Sequence, residues 1–399
     1  MYQNLAGGQR QNPLATFRQS LFVAVFASLP VIGLVAGPSY APLLFGLAGV
    51  SAILAGVEYR RWPALDKPVV LIALLFVLLC AAGLLDTFSP RITQQRLGQM
   101  AGISIGGLLL LALPVAERQA DRLVAALFWT VVLGVAILGA DTAFDYPLQH
   151  ALGGDAVNIG TKYNRGLIAL VILAWPAAAN LVARGDRGKA QLMIAFVLLA
   201  TMVGLSATGL AALVAGFLVW LLALKAPRFT AIALGAGMSV LGLALPLLLR
   251  IASGQRGHLG SVVKSSGIHR LEIWDYMSAR ILERPLTGWG LGVAKVVPIR
   301  ADELATYLYA DASGIYPHNQ WIELWLETGV LGVALALALV LLVLWRLRGP
   351  WRPYGLAAVA AALTGSLLNF EITTDSWWAA LAASAVLFRL LPKERADMA

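Results

Sequence analysis

The residues best placed to do chemistry stand in one run, Tyr316-Pro317-His318-Asn319-Gln320-Trp321-Ile322-Glu323, at the end of a long polar excursion. Pro317 before His318 and the apolar residues after Asn319 place His318 at the first turn of a helix. Partial positive charge at a helix start favours the neutral imidazole, which can take a proton from a sugar hydroxyl as a general base. The plainer alternative is a polar residue that caps or anchors the helix. Arg270 falls in a helix-like period over Gly267 to Arg284, and Arg165 opens an apolar segment in Thr161-Lys162-Tyr163-Asn164-Arg165-Gly166. Arginine grips phosphate oxygens in a two-pronged way and keeps its charge, which suits a lipid-linked diphosphate at headgroup depth. Such arginines also reach towards lipid phosphates with no catalytic purpose. Lys162 and Arg91 are weaker members of the same set. Glu323 and Glu327 lie one and two turns below Asn319, where they could orient His318 or an arginine, or tie the helix end to its neighbours.

Other chemistries find less support. The outer loops contain no Asp-x-Asp pair and no His/Cys/Asp cluster at metal-ligand spacing, and there is no phosphate-binding Walker loop, so neither a metal nor a cofactor is expected. Thr287-Gly288-Trp289-Gly290-Leu291-Gly292 is glycine-rich, but without a preceding strand it reads as a plain turn more readily than as a phosphate loop.

The elements that must carry these residues are membrane spans. Of 399 residues, 59% are hydrophobic and only 13% charged, against about a quarter charged in soluble domains. The net charge of +9 is spread over many short loops, which fits topology and anionic lipid headgroups better than nucleic acid. Cys80, the single cysteine, sits in an apolar run and is a poor nucleophile candidate. A window of about 20 apolar residues gives twelve segments, near 19–36, 40–57, 68–85, 97–116, 121–144, 165–183, 189–204, 206–225, 229–250, 319–345, 353–369 and 376–391. The seventh and eighth are parted only by Leu205-Ser206 and could form one bent segment. The first reads as a retained span rather than a removed signal.

With both termini cytoplasmic, eighteen of the thirty Lys and Arg residues fall inside, as the positive-inside rule asks. All four histidines, with Arg91, Lys162, Arg165 and Arg270, then fall outside. The expected fold is an all-α polytopic membrane protein, with nine spans in 1–250, an outer loop with an amphipathic interfacial helix in 251–318, and three spans in 319–399. Few ionisable residues fall mid-span, which disfavours a coupled transporter.

Arg270 with Trp274, then Pro285-Leu286-Thr287-Gly288-Trp289-Gly290, His318-Asn319 and Glu327-Thr328-Gly329-Val330-Leu331-Gly332, resemble the shared region of the bacterial O-antigen ligase and polymerase superfamily, in particular its ligase branch. The resemblance implies a GT-C-like glycosyltransferase architecture in the bacterial inner membrane, with the large loop in the periplasm. It also implies transfer of a glycan from undecaprenyl diphosphate to a sugar of the lipid A core, in lipopolysaccharide biosynthesis. The family histidine maps onto His318 and its loop arginine onto Arg270, while Arg165 matches an arginine at the head of a middle span. Arg270, Arg165, Lys162 and Arg91 would hold the diphosphate, His318 would deprotonate the acceptor, and Asn319 and Glu323 would support it. Direct attack would invert the anomeric centre. An O-antigen polymerase using the same donor, and a lipid-linked glycan transporter, are the alternatives.

Overall fold

The computed structural model describes residues 13–60, 62–113, 117–153, 162–254, 265–297 and 316–392. Among these, helices run α1 Pro13–Val35, α2 Tyr40–Tyr59, α3 Lys67–Ala82, α4 Pro90–Leu111, α5 Glu117–Ala143, α6 Pro147–Ala151 and α7 Asn164–Ala183. They continue as α8 Arg187–Val203, α9 Ala207–Lys225, α10 Pro227–Gly254, α11 Ser265–Glu283, α12 Gln320–Arg346, α13 Arg352–Leu368 and α14 Asp375–Phe388. No strand occurs among the described residues.

Each of the twelve sequence-predicted segments falls on a helix. Eight described helices are long and apolar enough to cross a membrane, so the chain is a multi-pass membrane protein. The segments near 97–116, 189–204, 353–369 and 376–391 fall on helices that are shorter or more polar. At the doubtful junction, Leu205 takes a left-handed φ of 49°. The Ser206 hydroxyl then accepts the Gly209 N–H at 3.0 Å. That is an N-cap, and it makes α8 and α9 two helices.

The chain forms two compact units. One contains residues 1–66, 105–214 and 375–399. Its centre is α7, buried at every position from Gly166 to Leu181 and packed by α1, α5, α8 and α14. Small residues permit this close approach: a Cβ on Gly166 would strike the backbone of Gly33.

The other unit contains residues 67–104 and 215–374. Its core joins Met238 and Leu245 of α10, Ile273, Met277 and Ile281 of α11, and Trp321, Leu324 and Trp325 of α12. The apolar stripe of α11 is therefore turned into protein. Trp321 donates its indole N–H to the Ser366 hydroxyl at 2.9 Å and Trp325 to the Gly242 carbonyl at 2.7 Å. These bonds fix the first half of α12 to α13 and α10.

A break in α12 organises this unit. Gly329 has φ 63° and ψ −164°, conformations no helix contains. Every residue from Gln320 to Gly329 is buried, whereas Leu331, Leu341 and Trp345 beyond the break are exposed. A break of this kind frees backbone donors and acceptors that must find partners away from water. The turn after α11 supplies them. Trp289 and Gly290 donate their N–H groups to the carbonyls of Leu326 and Glu327, at 2.8 and 3.1 Å. In return Val330 and Leu331 donate to Pro285 and Leu286, at 2.8 and 3.4 Å. The backbones come so close that a Cβ on Gly288 would lie 2.5 Å from the Glu327 carbonyl carbon, and one on Gly329 would strike Leu286. The glycine-rich turn is thus a structural splice, and its N–H groups at Trp289 and Gly290 are occupied by helix carbonyls.

Candidate functional site

His318 stands just ahead of α12 rather than in its first turn. The N-cap is Asn319, whose side-chain oxygen accepts the N–H groups of Trp321 and Ile322, at 3.0 and 3.2 Å. His318 precedes that cap with a left-handed φ of 52°, a conformation costly for any residue with a Cβ. Its half-buried ring meets Tyr316 edge-on, with ring centres 4.5 Å apart.

Helix α11 approaches the same segment. Trp274 donates its indole N–H to the Pro317 carbonyl at 2.7 Å. Arg270 lies one turn back on α11, at the i,i+4 spacing that puts side chains on one face. It is half-buried and makes no hydrogen bond or ion pair among the described residues. The indole thus joins α11, one turn after Arg270, to the residue before His318.

Tyr316 carries the cluster further. Its hydroxyl donates to the Asn369 carbonyl, and Lys295 lies 5.7 Å over its ring. Lys295 also pairs with Glu371 at 2.8 Å. The two acids of α12 are both buried, and the partners they take are backbone N–H groups. Glu323 accepts from Ile372 at 2.8 Å and Glu327 accepts from Ala294 at 3.2 Å. Of the two roles the sequence left open for them, tying the helix end to its neighbours is the one these bonds display. The second carboxylate oxygen of Glu327 is buried without a hydrogen-bond partner among the described residues.

The remaining basic candidates stand on other elements. Arg91 is exposed at the start of α4. Lys162 and Arg165 belong to the unit centred on α7, and both are exposed. Lys162 reaches the Gly153 carbonyl at 3.4 Å. Beside them Tyr163 is fully buried and donates its hydroxyl to Asp141, which also accepts the Leu148 N–H at 2.6 Å. Burial, then the Asp141 bond, raises the Tyr163 phenol above its usual range, so it stays a donor. Asn164 accepts from the Ser206 hydroxyl. These contacts fix the backbone on which Lys162 and Arg165 stand. His258 lies outside the described residues.

Sequence reasoning did not single out Arg96, Lys295 or Glu371, and it gave Tyr316 no role within the run that holds His318. Arg96 donates to Gln99 at 2.9 Å and to the Thr373 hydroxyl at 3.3 Å. With Lys295 it lines a cavity of about 310 Å³. The only sequence signals were the charges in outer loops and an aromatic two places before His318.

Residues 192–337, from α8 into α12, match the family model described as O-antigen ligase. Three curated proteins, each named "Putative polysaccharide ligase", are similar to the chain. The protein of Rickettsia felis is 27% identical over 184 residues, 44% of each chain. That of Rickettsia bellii is 28% identical over 195 residues, again 44% of each. That of Rickettsia typhi is 34% identical over 79 residues, 19% of this chain and 20% of the other. The matches span less than half the length of these relatives.

Proposed function

We propose that this chain, of O-antigen ligase type across residues 192–337, transfers a glycan from undecaprenyl diphosphate to a sugar of the lipid A core. The reaction takes place at the periplasmic face of the bacterial inner membrane, with both termini cytoplasmic. The observation that carries this reading is the Trp274–Pro317 hydrogen bond. It joins the helix that carries Arg270, an arginine without a carboxylate partner among the described residues, to the residue before His318.

Arg270 binds the diphosphate and stabilises the charge that grows on it as the glycan leaves. Arg91, at the start of α4 in the same unit, is a further donor to the diphosphate. His318 takes the proton of the acceptor hydroxyl, whose oxygen forms the new bond at the anomeric carbon as the bond to the diphosphate breaks. One displacement inverts that carbon. Asn319 fixes where the helix begins, and so where His318 stands. Glu323 holds the facing loop through Ile372.

The test is reconstituted transfer with lipid-linked glycan donor, lipid A core as acceptor, and a chelator present. Product on lipid A core from the wild type, and none from His318→Ala at normal membrane insertion, supports the reading. Near-normal transfer by His318→Ala removes the histidine from the mechanism. Chain growth on the lipid carrier identifies a polymerase, and no transfer to either acceptor reopens the transporter.

A further inference from the structure

We propose that the cavity lined by Arg96, Gln99 and Lys295 is the subsite for an acceptor sugar that carries an anionic group, either phosphate or carboxylate. This rests on the transfer reaction proposed above and names the chemistry of its acceptor.

The cavity measures about 310 Å³ and lies within one unit of the fold. That is at the small end of ligand sites, roughly 300–1,000 Å³, and fits one sugar rather than a chain. Its polar lining comes from Gln95, Arg96, Gln99 and Lys295. Planar amides and a guanidinium can pair with adjacent hydroxyls, and two cations are more than a neutral sugar requires.

Both cations have donors in reserve. Arg96 uses Nη1 for Gln99 and Thr373, while its Nε and Nη2 have no partner among the described residues. Lys295 gives one bond to Glu371 and has two further protons to offer. Gln95 is exposed and unbonded among the described residues. Gly292 belongs to the same design. It has φ 82°, and a Cβ there would lie 2.5 Å from Cγ of Arg96, so the bare backbone makes room for the arginine stem.

The position fits an acceptor. Lys295 lies over Tyr316, and Tyr316 lies against His318. One aromatic ring therefore separates the cavity's lysine from the proposed base. The helix that carries Arg270 reaches the His318 segment separately, through Trp274.

The experiment uses the full chain in nanodiscs, with glucose 6-phosphate, glucuronate and glucose as probes of thermal stability. The expected result is saturable stabilisation by the two charged sugars and none by glucose, with response to one or both identifying the anion. Arg96→Gln should weaken it about tenfold, the loss of one charge-assisted contact. In the transfer assay Arg96→Gln should raise the KM for phosphorylated lipid A core about tenfold, raise that for dephosphorylated core by much less, and leave the donor KM unchanged. If Arg96→Gln misfolds for want of its Thr373 bond, Lys295→Met and Gln95→Ala take its place. An equal response to glucose overturns the proposal. So does loss of glucose 6-phosphate binding when phosphatidylglycerol is added, which would assign the cavity to a lipid headgroup. Charged-sugar binding that depends on Arg96 with no transfer to any acceptor sinks the reaction but leaves the site.

Discussion

Trp274 donates to the Pro317 carbonyl at 2.7 Å and joins α11 to the segment that carries His318. Trp274 shares a helix face with Arg270, and Pro317 is bonded directly to His318. One bond therefore joins the two elements that carry the arginine and the histidine, although forty-eight positions separate these residues in sequence.

Trp274→Phe tests that joint. Phenylalanine keeps most of the ring and loses the indole donor. Stability should fall by about 1 kcal/mol, while transfer should fall by roughly tenfold to a hundredfold, as misplacement of reacting groups does. Melting curves and initial rates on the same preparation separate the two. A rate unchanged from wild type would show that the bond positions nothing.

The backbone at His318 yields a second expectation. Its φ of 52° suits glycine better than any residue with a Cβ. Both His318→Ala and His318→Gly should be inactive, but the glycine variant should be more stable by about 1 kcal/mol. Denaturation in detergent would read this, and equal stability of the two would mean the left-handed turn costs nothing here.

Arg270 can be removed at little structural cost, because no carboxylate among the described residues depends on it. Arg270→Ala should keep its melting temperature and lose donor affinity by about tenfold or more. Arg270→Lys should recover only part, since a point charge cannot make the paired contact. Donor titration of the three proteins checks the order.

Helix α12 shows how far the sequence could be read. The apolar period and the start at Asn319 were legible because each depends on neighbours in the chain, whereas the junction at Leu205-Ser206, between α8 and α9, was visible but left open as a bend or a break. The left-handed His318 was not, since Asn319 rather than His318 takes the cap. Nor was the meeting of Arg96, Lys295 and Glu371, which comes from three separate loops. The stripe on α11 was visible as a period, but a period does not say whether it faces lipid or protein. The glycines at 288, 290 and 329 looked like punctuation, and their reason lies in backbone contacts between distant stretches.

Glu327 supplies the last expectation. One oxygen holds the Ala294 N–H and the other is buried without a partner among the described residues. Glu327→Gln keeps an acceptor and should fold normally. Glu327→Leu orphans a buried N–H and should cost about 1–3 kcal/mol. Proteolysis rates in nanodiscs would rank them, and a leucine variant as stable as wild type would show that the bond is dispensable.

The joint between the Pro285–Gly292 turn and the break at Gly329 has a consequence for inheritance. Its hydrogen bonds run in both directions, so neither stretch is a free-standing part. A chimera that takes α12 from a relative with different geometry at the break, yet keeps this turn, would leave four backbone groups of the turn stranded. Exchanged together, the two stretches should graft as one piece. The chain has two distant addresses for one structural part.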